Sequence, residues 1–234
     1  MRADDLTTTT TESADALVAN GLRAVIDLRS YDEVAVTGRG PLALHGEVSY
    51  HHVPFMTSLG EATAHVDHEA SAVETQDTSD VDPLDQPGFG GMYVRMYEGV
   101  ASQIVTALAI IAHAPGTVAF HCAAGQDRTG VLAASLLLAL GADHDDIVAD
   151  YARTGENSAA IMERLAPVMA PLMAKFGFDL DEAARAATRT AFSDVPMRTL
   201  LAEMTARHGD PLAPLRAAGL TDALIERLRE RAAA

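Results

Sequence analysis

One cysteine stands in the chain, Cys122, and an arginine follows it six positions later with a threonine behind it: His121-Cys122-Ala123-Ala124-Gly125-Gln126-Asp127-Arg128-Thr129. This Cys-x5-Arg-Thr spacing fits nucleophilic attack on a phosphate ester. The small residues Ala123, Ala124 and Gly125 let the backbone curl with its amides inward, and Gln126 closes the curve, forming a nest for a tetrahedral dianion. Cys122 then faces the phosphorus, and the same amides together with Arg128 favour the ionised, nucleophilic sulfur. Arg128 returns to the cradle to hold equatorial phosphate oxygens with its planar fork, a task lysine cannot perform.

Expulsion of an alkoxide or phenoxide needs a proton, and Asp127 is the candidate general acid. Its competing role is structural, bonding loop amides or orienting Arg128. Thr129 can donate a hydroxyl hydrogen bond to the sulfur as a phosphocysteine breaks down. His121 is read as a support that orients the cysteine through a backbone contact, against the plainer reading of a satisfied core histidine.

Such a loop needs a strand before it and a helix after it, so that unpaired N–H groups and the positive end of the helix dipole converge on the anion. Thr117 to Phe120 reads as that strand, and Thr129 to Leu140, apolar almost all round and closed by Gly141, as that buried helix. Upstream, a helix is expected near residues 11–20, with strands over Arg23–Leu28 and Ser49–Val53. Val100, Ile104, Leu108 and Ile111 recur at helical spacing within 95–113, and Ala114-Pro115-Gly116 stops that helix. Helices are then expected over about 143–153, 157–175, 180–191, 196–208 and 221–232. Strands followed by helices indicate an α/β fold, a central sheet flanked by helices with a helical C-terminal half.

The 234 residues are read as a single domain, residues 1–234, interrupted by an acidic insertion at about 57–92. That stretch holds eight acids and no lysine or arginine, the profile of a lid or a loose insertion. The whole chain carries 17 basic and 33 acidic side chains, a net charge of −16, which repels nucleic-acid polymers and anionic membranes. No apolar run approaches the roughly 20 residues of a membrane helix and the start has no apolar signal core, so a soluble, cytoplasmic protein is expected. A lone cysteine excludes an internal disulfide and a multi-cysteine zinc site. His51-His52 and His65-x-x-His68 lack ordered ligand spacing, so no metal and no other cofactor is expected. Met162, Met169 and Met173 read as core, and Arg227, Arg229 and Arg231 as a solvated face.

The loop, together with Val25-Ile26-Asp27-Leu28-Arg29-Ser30, Asp32-Glu33-Val34, Gly38-Arg39-Gly40-Pro41 and Asp150-Tyr151, resembles the atypical bacterial tyrosine/lipid phosphatases of the mycobacterial tyrosine phosphatase B type. The resemblance runs from about Arg2 to the C-terminal helix. It implies the cysteine-phosphatase (protein tyrosine phosphatase-like) fold, Cys122 as nucleophile, Arg128 as phosphate-binding arginine, an acidic region in the place of the family's lid, and no metal. Three departures accompany it. Gln126 stands where the family usually has lysine, which weakens the case for multiply charged substrates such as phosphoinositides. Pro54-Phe55 is followed by Met56 and Thr57 rather than by an aspartate, so Asp127 carries more of the acid role. An Asn-Phe-Arg-Asp-type segment that would precede Arg2 is absent, pointing to a shortened start or a lost edge element.

The expected activity is hydrolysis of a phosphomonoester, either phosphotyrosine or a small phosphorylated metabolite such as a nucleotide or sugar phosphate. A catalytically weak phosphate-binding module and a sulfurtransferase are the alternatives. The oligomeric state is not legible.

Overall fold

The computed structural model describes residues 1–56, 86–161, 163–165, 167 and 192–233. The expected acidic insertion (except its last residues), the helix at 180–191, the far end of that at 157–175, His65, His68, Met162, Met169 and Met173 lie outside the described residues. A four-stranded sheet carries β1 (Arg2–Ala3), β2 (Leu22–Asp27), β3 (Ser49–His52) and β4 (Thr117–His121) in the order β1-β4-β2-β3, with every pairing parallel. An edge element is therefore present at the start of the chain: Arg2 and Ala3 pair with Phe120 and His121.

Both faces of the sheet are covered, as the near-continuous apolar run of β2 requires. Ala24, Ile26, Val118 and Phe120 point into one core, while Val25 and Ala119 point into the other, the alternation that a strand imposes. Leu22 shares the side of Val25 because the pairing with β4 shifts register between Leu22 and Ala24. The second core is closed by α1 (Thr11–Ala19), which presents Ala14 and Val18 and is capped by the Thr10 hydroxyl, which accepts from the Ser13 amide.

Among the described residues further helices are α2 (Tyr31–Thr37), α3 (Gly90–Gly99), α4 (Ala101–His113), α5 (Asp127–Leu140), α6 (His144–Ala152), α7 (Val195–His208), α8 (Ala213–Ala217) and α9 (Asp222–Ala232). The helix expected over 95–113 is two helices, bent by 74° at Val100 just after Gly99. Its halves serve different neighbours: α3 packs on α7 and α4 on α9. Of the acidic insertion, residues 86–92 are helical, a short 3-10 turn at Gln86–Phe89 running into α3. Among the described residues no single helix is long and apolar enough to cross a membrane. Arg231, expected on a solvated face, instead donates to the carbonyls of Ala114 and Gly116 and pins α9 to the turn before β4.

Because β2 and β4 run parallel, Asp27 and His121 finish side by side, so the segments that follow them emerge together at the carboxyl edge of the sheet, where open α/β sheets bind ligands. The segment after β2 is held by a buried guanidinium. Arg29, 0% exposed, bonds Asp27 Oδ1 at 2.9 Å and Oδ2 at 2.6 Å, Thr37 Oγ1 at 2.6 Å and the Gly38 carbonyl at 2.9 Å. Burial alone would raise the Asp27 carboxyl, but Arg29, with help from Tyr50, holds it well below the usual carboxylate range. Arg29→Met leaves that carboxylate buried without its cation, so urea unfolding at pH 7 is expected to show a loss of about 3–5 kcal/mol. Adding Asp27→Asn is expected to restore some of it.

Candidate active site

β4 delivers His121 into the interior, and Cys122 follows at 1% exposure. The chain then turns back on itself and enters α5 at Asp127, two residues earlier than the apolar pattern begins. Gly125 makes the turn possible. Its φ of +66° lies in the left-handed region, and a Cβ there would come within 2.7 Å of the Ala3 carbonyl and 2.9 Å of the Asp4 amide. The loop therefore lies flat against the end of β1, where the Asp5 amide bonds the Ala123 carbonyl at 3.1 Å. Ala123 is buried against Ile161 and Leu165 on its other flank, with Ala124 beside it.

Among the described residues, the amides of Ala123, Ala124, Gly125 and Gln126 donate to no acceptor. Unpaired donors leading into a helix N-terminus can receive an anion. The Thr129 hydroxyl donates to Cys122 Sγ at 3.1 Å. His121 is fully buried, its Nδ1 3.1 Å from the Cys122 carbonyl oxygen and 3.5 Å from the Leu6 amide. Burial holds its imidazole below the ordinary histidine range despite the pull of Asp27. The 3.8 Å approach of Nε2 to Asp27 is thus a contact of a neutral ring, not an ion pair.

Arg128 is held by a residue that chemistry alone does not single out in the sequence. Its two terminal nitrogens bond Glu33 at 2.6 and 2.9 Å in a fork, and both side chains are buried. Glu33 is itself fixed by a capping box at the start of α2: the Ser30 amide bonds Glu33 Oε2 at 2.7 Å and the Glu33 amide bonds Ser30 Oγ at 3.3 Å. The signal for that box is the spacing Ser30-x-x-Glu33. Burial alone would raise the Glu33 carboxyl; the Arg128 guanidinium outweighs it and keeps it below the ordinary glutamate range. Burial likewise works against the charge of Arg128, and Glu33, followed by Cys122, reverses it.

Asp127, half-buried, accepts from the Tyr93 hydroxyl at 2.6 Å on Oδ1, and the Gln126 side-chain amide donates to the same atom at 3.3 Å. Gln126 thus reaches across to the neighbouring carboxylate. A polar cleft of about 470 Å³ opens beside the loop, walled by Ala124 and Gly125 and by Arg2, Arg153, Arg164, Asp4, Asp150 and Glu156. Its cations and acids balance. His52 is used structurally, Nε2 2.8 Å from the Arg29 carbonyl oxygen and its ring edge-on to Tyr31. Among the described residues, no group of three His, Cys, Asp or Glu side chains is placed to hold a metal ion.

The sequence profile of the tyrosine phosphatase family matches residues 1–234, the whole of this chain. A tyrosine-protein phosphatase of Nostoc commune is 33% identical over 155 residues, 65% of this chain and 47% of that protein. The triple specificity protein phosphatase PtpB of Mycobacterium tuberculosis is 31% identical over 134 residues, 54% of this chain and 46% of that protein. The matched stretches span less than half the length of these two curated relatives.

Glu33→Gln tests the fork. Since folding lowers the Glu33 value, its contribution to stability is complete above about pH 4.3 and is lost as pH falls through the lower folded value. The variant is expected to be less stable than the parent by about 3 kcal/mol in urea at pH 7, with the gap shrinking toward pH 3.

Proposed function

The chain belongs to the tyrosine phosphatase family, and from that premise we propose that it hydrolyses phosphomonoesters through a phosphocysteine at Cys122. The observation that carries this reading is the run of amides from Ala123 to Gln126 with no acceptor among the described residues, next in the chain to a sulfur that Thr129 already touches. In this reading the amides and Arg128 hold the non-bridging oxygens of the phosphoryl group, and Sγ attacks phosphorus as the ester P–O bond breaks. Glu33 takes two of the guanidinium N–H bonds and sets the plane in which the others meet the phosphate. Asp127 gives its proton to the departing oxygen. Water then attacks the phosphocysteine, Asp127 takes up a water proton, and Thr129 donates to the sulfur as the thiolate leaves. His121 shapes the loop from beneath and touches no substrate. The chemistry uses no metal or other cofactor.

The substrate class we propose is phosphotyrosine or a small singly phosphorylated metabolite. Gln126 turns to Asp127 instead of offering a cation at the loop, and the net charge of −16 opposes an approach to anionic lipid surfaces.

Turnover of p-nitrophenyl phosphate, unaffected by a chelator, is the expected result. Cys122→Ser is expected to lower it on the order of 10⁴-fold or more. Tight phosphate binding without turnover would favour a binding module, and sulfane sulfur transfer from thiosulfate would favour a sulfurtransferase. Among natural esters, phosphotyrosine peptides or nucleoside monophosphates are expected to outrun phosphoinositides, and the reverse order refutes the substrate assignment.

A further inference from the structure

The cleft beside the loop carries charges of both signs, and most of them are engaged within the protein. Arg2 donates from Nη1 to Asp150 Oδ2 at 2.7 Å, and from Nη2 to the Asp150 carbonyl at 2.8 Å and to Thr154 Oγ1 at 3.2 Å. Arg164 pairs with Asp4. Two charges are left over, Arg153 and Glu156, exposed on the short 3-10 turn Arg153–Asn157 that follows α6. Neither side chain has a hydrogen bond or an ion pair among the described residues. Their spacing of three would let them pair with each other, as Arg227 and Glu230 do at 3.1 Å, yet they do not. Opposite charges left uncommitted on one cleft suit a ligand that carries both. The cleft is neutral overall in a chain of net charge −16, and a second phosphate there would meet one uncommitted cation with an acid three positions away, so a polyanion is disfavoured. Among the described residues no aromatic ring lines it, which leaves a nucleobase without a stacking partner. Its volume of about 470 Å³ is that of a small-molecule site, and Ala160 and Ile161 contribute carbon to its lining. Ala124 and Gly125, whose amides have no acceptor among the described residues, line it too, so the cleft borders the anion loop.

Resting on the phosphatase reading above, we propose that this cleft is the leaving-group subsite for a free phosphorylated α-amino acid. The phosphoryl group sits on the loop amides, the α-carboxylate meets the Arg153 guanidinium, and the α-ammonium meets the Glu156 carboxylate. The planar fork of arginine matches a carboxylate, and a carboxylate accepts from an ammonium's donors. Free phosphotyrosine has both charges. Within a peptide the same residue has amides in their place and loses both contacts. Arg153 and Glu156 are thus specificity-determining residues, and neither touches the reacting atoms. Because both lie exposed, each contact is modest, and discrimination comes from their sum.

The test uses esters that share one leaving phenol: O-phospho-L-tyrosine, its N-acetyl derivative, its carboxamide and the doubly capped N-acetyl carboxamide. In the parent chain kcat/KM is expected to fall about threefold with either single cap and about tenfold with both, the change lying in KM with kcat nearly constant. Arg153→Gln is expected to erase the difference between the free amino acid and its carboxamide while keeping that against the N-acetyl derivative. Glu156→Gln is expected to do the converse. A general loosening of the fold would not produce this crossed pattern. The proposal is overturned if the parent treats the esters alike or prefers the doubly capped one, or if the differences survive both substitutions. The parent comparison needs no variant, so it decides even where a substitution fails to fold, as judged by circular dichroism. Cys122-dependent turnover of p-nitrophenyl phosphate with equal rates on the capped and free esters sinks this subsite alone; a parent that turns over no ester sinks the phosphatase reading beneath it.

Discussion

The buried fork between Arg128 and Glu33 joins the two segments that leave the carboxyl edge of the sheet, and the geometry of the loop depends on it. Taking a guanidinium and a carboxylate out of water is costly, and a buried pair is tolerable only when its remaining bonding capacity is met. Here Ser30 meets it on the acidic side, through an amide that the start of α2 would otherwise leave idle. On the basic side Glu33 takes a bond from each terminal nitrogen of Arg128. The arginine is thus anchored from behind before any anion arrives, and binding need not spend free energy to collect it.

A second buried pair, Asp27 with Arg29, works in the same way a layer deeper. It ties the end of β2 to Thr37 and Gly38 at the far end of α2, so the helix that bears Glu33 is held at both ends. His121 lies between this pair and Cys122 as a neutral ring. The loop from Cys122 to Gln126 therefore stands on a polar floor within an otherwise apolar interior, and the floor is contributed by the segments adjoining β1, β2 and β4.

Much of this was legible in the residues. The loop from His121 to Thr129 announced its place between a strand and a helix, because an apolar β-branched run before it and a long apolar run after it bracket a stretch of small residues. The elements with strong apolar patterns, β2, β4 and α5, fell where the pattern put them. What escaped was what pattern does not encode. Arg2–Ala3 is too short to show alternation, yet it forms the edge strand against which Gly125 rests. The bend at Val100 is invisible in a periodicity that continues through it, since tertiary packing of α3 and α4 on different partners decides it. Tyr93 and Tyr151 lie 34 and 24 positions from Asp127, and only the fold brings the hydroxyl of Tyr93 to it and that of Tyr151 to Tyr93. The spacing from Ser30 to Glu33 spells out the capping box of α2, but nothing local tells that the same carboxylate also grips Arg128, 95 positions away.

The solitude of the sulfur also sets the terms of its repair. An oxidant that converts Cys122 to a sulfenic acid leaves it with no second thiol in this chain to trap it as a disulfide, the usual guard against further, irreversible oxidation. Restoring the thiol then calls on a reductant that can reach a sulfur only 1% exposed, so the redox state of the surroundings bears directly on how long that thiol lasts.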